Sequence, residues 1–142
     1  MSLRGFATLN LWADDVAAAV AWYSELFGVE PYFTRPGPRG LAYAKFRTGD
    51  QEAEVAIADR SFDPSGASGG PGGAVMHWHV DDFDATLARL TSMGATEYQP
   101  VTPHGPVMTA AVVDPFGNVL GIMHNPHYLE MLDDRRTTAA VG

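Results

Sequence analysis

The sequence predicts an α+β fold made of two tandem β-α-β-β-β units, and three observations lead there. The chain repeats itself at a shift of 67 residues, each copy holds one stretch of helical period, and short alternating runs surround each stretch. Under the shift, Asp14-Asp15 falls on Asp81-Asp82 and Ala18 on Ala85, while Val16, Val20 and Tyr23 fall on Phe83, Leu87 and Leu90. Apolar positions four and three apart form the stripe of a helix. Each helix opens on an Asp whose carboxylate can accept from free backbone N–H groups. Each stops at a glycine, Gly28 or Gly94, suited to the left-handed residue beyond a helix end.

The strands follow in order. In the first unit they are predicted over Phe6–Ala13, Pro31–Thr34, Leu41–Arg47 and Glu52–Asp59. Turns fall at Arg35-Pro36-Gly37-Pro38-Arg39-Gly40 and at Thr48-Gly49-Asp50. In the second unit they are predicted over Ala74–Val80, Thr96–Val101, Val107–Val113 and Asn118–His124, with Asp114-Pro115-Phe116-Gly117-Asn118 as the last hairpin turn. The organisation is thus one domain over residues 1–142, with units at 5–60 and 74–126 and a tail from 127. A Gly/Pro-rich linker at 61–73 joins the units. Its glycines superficially suggest a phosphate loop, but no Gly-Lys-Ser/Thr follows and no helix begins there. A flexible linker, or a lid over a pocket, is the remaining reading.

Composition narrows the function classes. Of 142 residues, 46% are apolar and 18% charged, a globular mixture able to bury one core. Nine Lys and Arg against 17 Asp and Glu give a net charge of −8, without the positive footprint that nucleic acid requires. No cysteine is present, which excludes disulfides, thiolate metal sites and cysteine nucleophiles. No apolar run approaches the ~18 residues of a membrane span, and the N-terminus lacks the layout of a signal peptide. The sequence therefore predicts a cytoplasmic protein that binds neither membrane nor nucleic acid.

Trp22-Tyr23 late in the first helix, Leu26-Phe27-Gly28 closing it, and the Asp114–Asn118 turn complete a pattern with the duplication. The chain resembles the vicinal-oxygen-chelate (glyoxalase/bleomycin-resistance/dioxygenase) superfamily over about residues 5 to 126. The resemblance implies that each unit curls its mixed sheet into a half-cup and that the two enclose a shared cavity. It also implies a divalent metal held by His, Gln or Glu on the first and last strands of each unit. Those positions map onto Thr8, Ala56, Val75 and Gly121, and none is a credible ligand, because a divalent cation needs several imidazole or carboxylate donors. The expectation is that no metal or other cofactor binds there.

Side chains two apart on a strand share a face, which groups Asn10 and Trp12 with Thr8, and His77 and His79 with Val75. It groups Glu54 with Ala56, and Met123 with Gly121. Tyr43 and Tyr98 lie on middle strands where they could stack on a flat ligand. The candidate ligand-binding residues are therefore Asn10, Trp12, Tyr43, Glu54, His77, His79, Tyr98 and Met123. Each has a plainer alternative. The histidines could be core side chains satisfied by backbone, Trp12 and the tyrosines could simply pack, and His104, His124 and His127 sit in no pattern that demands chemistry.

Three function classes stay open. One is a metal-independent binding protein for a hydrophobic or aromatic metabolite or antibiotic. The second is a lyase- or isomerase-type enzyme using His77 or His79 with Glu54, with or without a displaced metal. The third is an interaction module whose cavity is filled by its own side chains. The expected partners are a small organic molecule and a second copy of the chain, since short two-unit relatives commonly pair. Tyr128-Leu129-Glu130-Met131-Leu132 can form a short helix, with mobility expected from Asp133 onward.

Overall fold

The computed structural model describes residues 3–64 and 70–141. Eight strands and three helices follow in the order β1 (Leu9–Ala13), α1 (Val16–Phe27), β2 (Phe33–Gly37), β3 (Gly40–Thr48) and β4 (Ala53–Asp59). Then come β5 (His77–His79), α2 (Phe83–Ser92), β6 (Thr96–His104), β7 (Val107–Val113), β8 (Val119–His124) and α3 (Pro126–Val141). The strands form two mixed four-stranded sheets, β1-β4-β3-β2 and β5-β8-β7-β6. The first strand of each unit runs parallel to the last, and the remaining pairs are antiparallel. Two tandem β-α-β-β-β units in an α+β fold are therefore present.

The chain divides into two compact units. One comprises Met1–Gly70 with Phe116–Asn118, and the other Pro71–Pro115 with Val119–Gly142. Of the predicted linker, residues 65–69 lie outside the described residues, and Arg60–Phe62 ahead of them form one 3₁₀ turn.

Both helices start as their sequences require. The Asp15 carboxylate accepts from the Ala18 N–H at 3.0 Å, and Asp82 accepts from Ala85 at the same distance. This is one capping bond made twice, 67 residues apart. Gly28 ends α1 at φ 72°, and Gly94 follows the α2 cap residue Met93 at φ 93°. Left-handed backbone of this kind suits a residue without Cβ.

In the first unit α1 packs Val16, Ala19 and Tyr23 against one face of the sheet, where Leu11, Ala13, Ala44, Phe46, Val55 and Ile57 are buried. Aromatic contacts extend that core: Tyr23 and Phe27 meet tilted at 5.3 Å between centroids, and Phe27 and Phe46 meet edge to face at 5.5 Å. The second unit repeats the plan with Phe83 and Leu90 of α2 and Ala110, Val112, Leu120 and Ile122 of its sheet.

Several boundaries differ from the sequence reading. β1 and β5 begin at Leu9 and His77, later than Phe6 and Ala74. β2 continues through Pro36 to Gly37, where a turn was expected, and β6 runs past Pro103 to His104. Both are edge strands, where a proline's missing N–H costs no ladder bond, and both carry register shifts. The last helix does not stop near Leu132 but runs through Asp133-Asp134-Arg135-Arg136 to Val141. No proline or glycine interrupts that stretch.

Candidate ligand-binding face

The face of the first sheet turned away from α1 follows from register. Asn10 pairs with Ala56, which pairs with Lys45, which pairs with Phe33; one step along, Trp12, Ala58, Tyr43 and Arg35 form a second row. Arg47 and Glu54 form a third. Paired residues project to the same side of a sheet, so Asn10, Trp12, Tyr43 and Glu54 share this face; alternation from the family positions predicts it for Asn10, Trp12 and Glu54, and the β3–β4 register adds Tyr43.

Charge and aromatic rings are interleaved on it. Tyr32, just before β2, donates its hydroxyl to Glu54 Oε1. Lys45 Nζ lies 3.8 Å and Arg47 Nη2 3.6 Å from the same oxygen, and the Glu54 side chain is only 12% exposed. The Tyr32 bond, a second from Thr8 and the two cations hold the Glu54 carboxyl below its ordinary pKa, against the opposing effect of burial. The Tyr32 phenol is pushed up, chiefly because its proton is committed to that carboxylate. Phe33 and Tyr43 meet edge to face at 6.2 Å. The Arg35 guanidinium lies 5.5 Å from the Phe33 centroid and 6.0 Å from that of Tyr43, and Lys45 Nζ lies 5.6 and 5.8 Å from the same two rings.

Trp12 is held from its backbone. Asn118 Oδ1 accepts from the Trp12 N–H at 3.1 Å and Asn118 Nδ2 donates to the Trp12 carbonyl at 2.9 Å. Arg60 donates to that carbonyl at 3.3 Å and to the Phe116 carbonyl, while its Nε stands 3.3 Å from Asp14. The asparagine of the Asp114–Asn118 turn thus satisfies both main-chain groups of Trp12 on the edge strand β1.

In the second sheet His77 pairs with Gly121 and His79 with Met123, which pairs with Thr109. The His77 ring lies across Gly121: a Cβ added there would sit 2.8 Å from His77 Cδ2 and from the Met76 carbonyl oxygen. His79 is packed more tightly. Its Nδ1 accepts from the Asn125 N–H at 3.1 Å, its ring stacks on Tyr128 at 4.8 Å, and its Nε2 lies 3.4 Å from Asp81. His124 places Nδ1 3.0 Å from the Val80 carbonyl. Tyr98 falls where the register skips from Glu97 to Gln99, which removes it from the regular alternation of β6.

The residues at the family's metal positions do not fit a divalent cation. Thr8 offers one hydroxyl, engaged with Glu54, and Ala56, Val75 and Gly121 offer no side-chain donor. Among the described residues no three His, Asp or Glu side chains gather in a group able to hold a metal. No described helix is long and apolar enough to cross a membrane.

Sequence reasoning missed Tyr32, Phe33, Arg35, Lys45 and Arg47. The signal for two of them was present, since alternation from Tyr43 leads directly to Lys45 and Arg47. Placing Phe33 and Arg35 beside them required the β2–β3 register.

A family model described as the Glyoxalase/Bleomycin resistance protein/Dioxygenase superfamily matches residues 5–122. The chain belongs to that superfamily. Cadmium-induced protein CadI of Mycobacterium tuberculosis is 32% identical over 91 residues, 61% of this chain and 51% of CadI, so the match spans about half the length of that relative. Two solved structures share the superfamily fold. A protein of Agrobacterium tumefaciens solved by NMR has a TM-score of 0.70 at 20% identity, over 85% of this chain and 97% of its own. TnmS3, an antibiotic binding protein from Streptomyces sp. CB03234, has a TM-score of 0.64 at 22% identity, over 86% and 96%.

Proposed function

We propose that this superfamily member is a metal-independent binding protein for an aromatic small molecule, held on the open face of the first sheet by Trp12, Tyr43, Asn10 and their neighbours. The observation that carries the reading is the set of rings there, Phe33 and Tyr43 in edge contact and Trp12 in the same row across Ala58, on a face that α1 does not cover. Rings with polar groups placed among them suit a flat organic ligand. The donor-poor family positions and the antibiotic-binding neighbour TnmS3 point the same way. Curling of the sheet about its ligand, as the superfamily implies, belongs to the same proposal. On the second sheet His77 and Met123 offer a further surface of the same kind.

The lyase or isomerase alternative draws less support. Glu54, its carboxylate partner, is already bonded by Tyr32 and flanked by two cations, which makes it a weaker base. His79 Nδ1 is occupied by a backbone N–H.

Native mass spectrometry of the protein as purified, with titration of aromatic ligands against tryptophan fluorescence, tests the proposal. A co-purified small molecule, or quenching by an aromatic ligand that Trp12→Phe removes, supports it. A mass without adduct together with no quenching across a panel of aromatic compounds counts against it.

A further inference from the structure

The charges on the open face of the first sheet run opposite to those of the whole molecule. The chain carries −8, yet among the described paired residues Arg35, Lys45 and Arg47 stand on this face against the carboxylate of Glu54. That carboxylate is not free to repel an incoming anion. It accepts from Tyr32, sits beside Lys45 and Arg47, and is only 12% exposed. Arg35 is exposed and lies over the rings of Phe33 and Tyr43. The exposed rings of Tyr32 and Phe33, at 52% and 38%, lie among these cations. An aromatic surface with surplus positive charge complements a ligand having both a flat apolar body and an acidic group.

Building on the proposed ligand-binding reading, we infer that this face takes a planar aromatic anion, an aromatic carboxylate. The ring system stacks on Phe33 and Tyr32, and the carboxylate meets Arg35 with Lys45 or Arg47. Arginine suits this role because its planar fork can stack on a ring and donate to both oxygens of a carboxylate. The net charge of −8 sharpens the choice, since it disfavours anions in general and leaves a locally cationic face as the place to accommodate one.

The test uses the full chain with 2-naphthoate as probe and the neutral 2-naphthalenemethanol as its control, followed by isothermal titration calorimetry. Naphthoate is expected to bind about tenfold more tightly than the alcohol. Its affinity should fall several-fold between about 0.05 M and about 0.5 M salt, because exposed charges are screened. Arg35→Gln and Arg47→Gln should each weaken naphthoate about two- to five-fold, the scale of an exposed ion pair, and change the alcohol by much less. Glu54→Gln should tighten it by removing the opposing charge, while Phe33→Leu weakens both probes. Melting temperatures of the variants establish that they fold. Equal binding of both probes, indifferent to Arg35 and Arg47, overturns the anion inference and leaves the aromatic-binding reading standing. Failure of both probes to bind also overturns it, and the native mass spectrum then decides the broader reading by itself.

Discussion

Gly121 and Asn118 illustrate how single residues determine this structure. An added Cβ at Gly121 would meet the Met76 carbonyl oxygen and the His77 ring, both 2.8 Å away, and the backbone oxygen cannot swing aside. Gly121→Ala is therefore expected to cost about 1–3 kcal/mol, the usual range for overpacking, read as a lower denaturation midpoint. Asn118 satisfies the N–H and carbonyl of Trp12 together. Asn118→Ala should cost about 1–3 kcal/mol and shift the emission of Trp12, since the Trp12 N–H loses its partner and its carbonyl keeps only Arg60. Glu54 carries a pH dependence. Its folded pKa lies below the unfolded value, so its contribution is present above the unfolded pKa and is lost as pH falls through the folded one. Thermal melts across the acid range should show a shallower decline for Glu54→Gln. A decline identical to that of the parent protein would remove Glu54 from the acid limb.

Among elements, the two helices give an internal control. Asp15 and Asp82 make the same 3.0 Å bond at the same position of their helices. Removing either cap is expected to cost about 0.5–2 kcal/mol. Asp15→Ala and Asp82→Ala should thus lower chemical stability by similar amounts, and a large asymmetry would mean that one helix depends far more on its sheet than on its cap. The edge strands teach a different point. Pro36 and Pro103 argue against strand in a sequence, yet both lie in strands that have a neighbour on one side only. Strand position in the sheet, which a linear reading does not contain, decides whether a proline ends a strand.

At the level of the whole molecule the expectations concern metal and assembly. Thr8, Ala56, Val75 and Gly121 supply a single hydroxyl among them, so Zn²⁺, Ni²⁺ and Mn²⁺ should leave the melting temperature nearly unchanged, because only a ligand that prefers the folded state raises it. A rise of several degrees abolished by His77→Ala or Glu54→Ala would restore the displaced-metal enzyme. A homodimer remains the expectation for assembly. Leu129 and Met131 on α3 are 36% and 48% exposed, apolar surface that a second copy would cover. Light scattering at micromolar concentration should return twice the chain mass of 15.2 kDa, and a monomeric mass would set the dimer aside.

The sequence by itself determined the duplication, both capped helices, the eight strands and the side shared by Asn10 and Trp12. All of these rest on period and on local chemistry: a stripe every three or four residues, alternation in twos, an Asp before a helix and a glycine after it. Tertiary structure alone decided the partners. Strand register joined Tyr43 and Glu54 to Asn10 and Trp12 on one face. Whether Glu54 stands free or is shared by Tyr32, Lys45 and Arg47 depends on the β2–β3–β4 register, and so does the position of Arg35 over Phe33 and Tyr43. Which histidine is tied to backbone was equally hidden, because His77 and His79 are alike in sequence pattern but only His79 meets Asn125 and Tyr128. Periodicity tells which way a side chain points. What it touches there is set by strands that the chain brings alongside from elsewhere, and for this protein those contacts turn a row of aromatic positions into a cationic aromatic face.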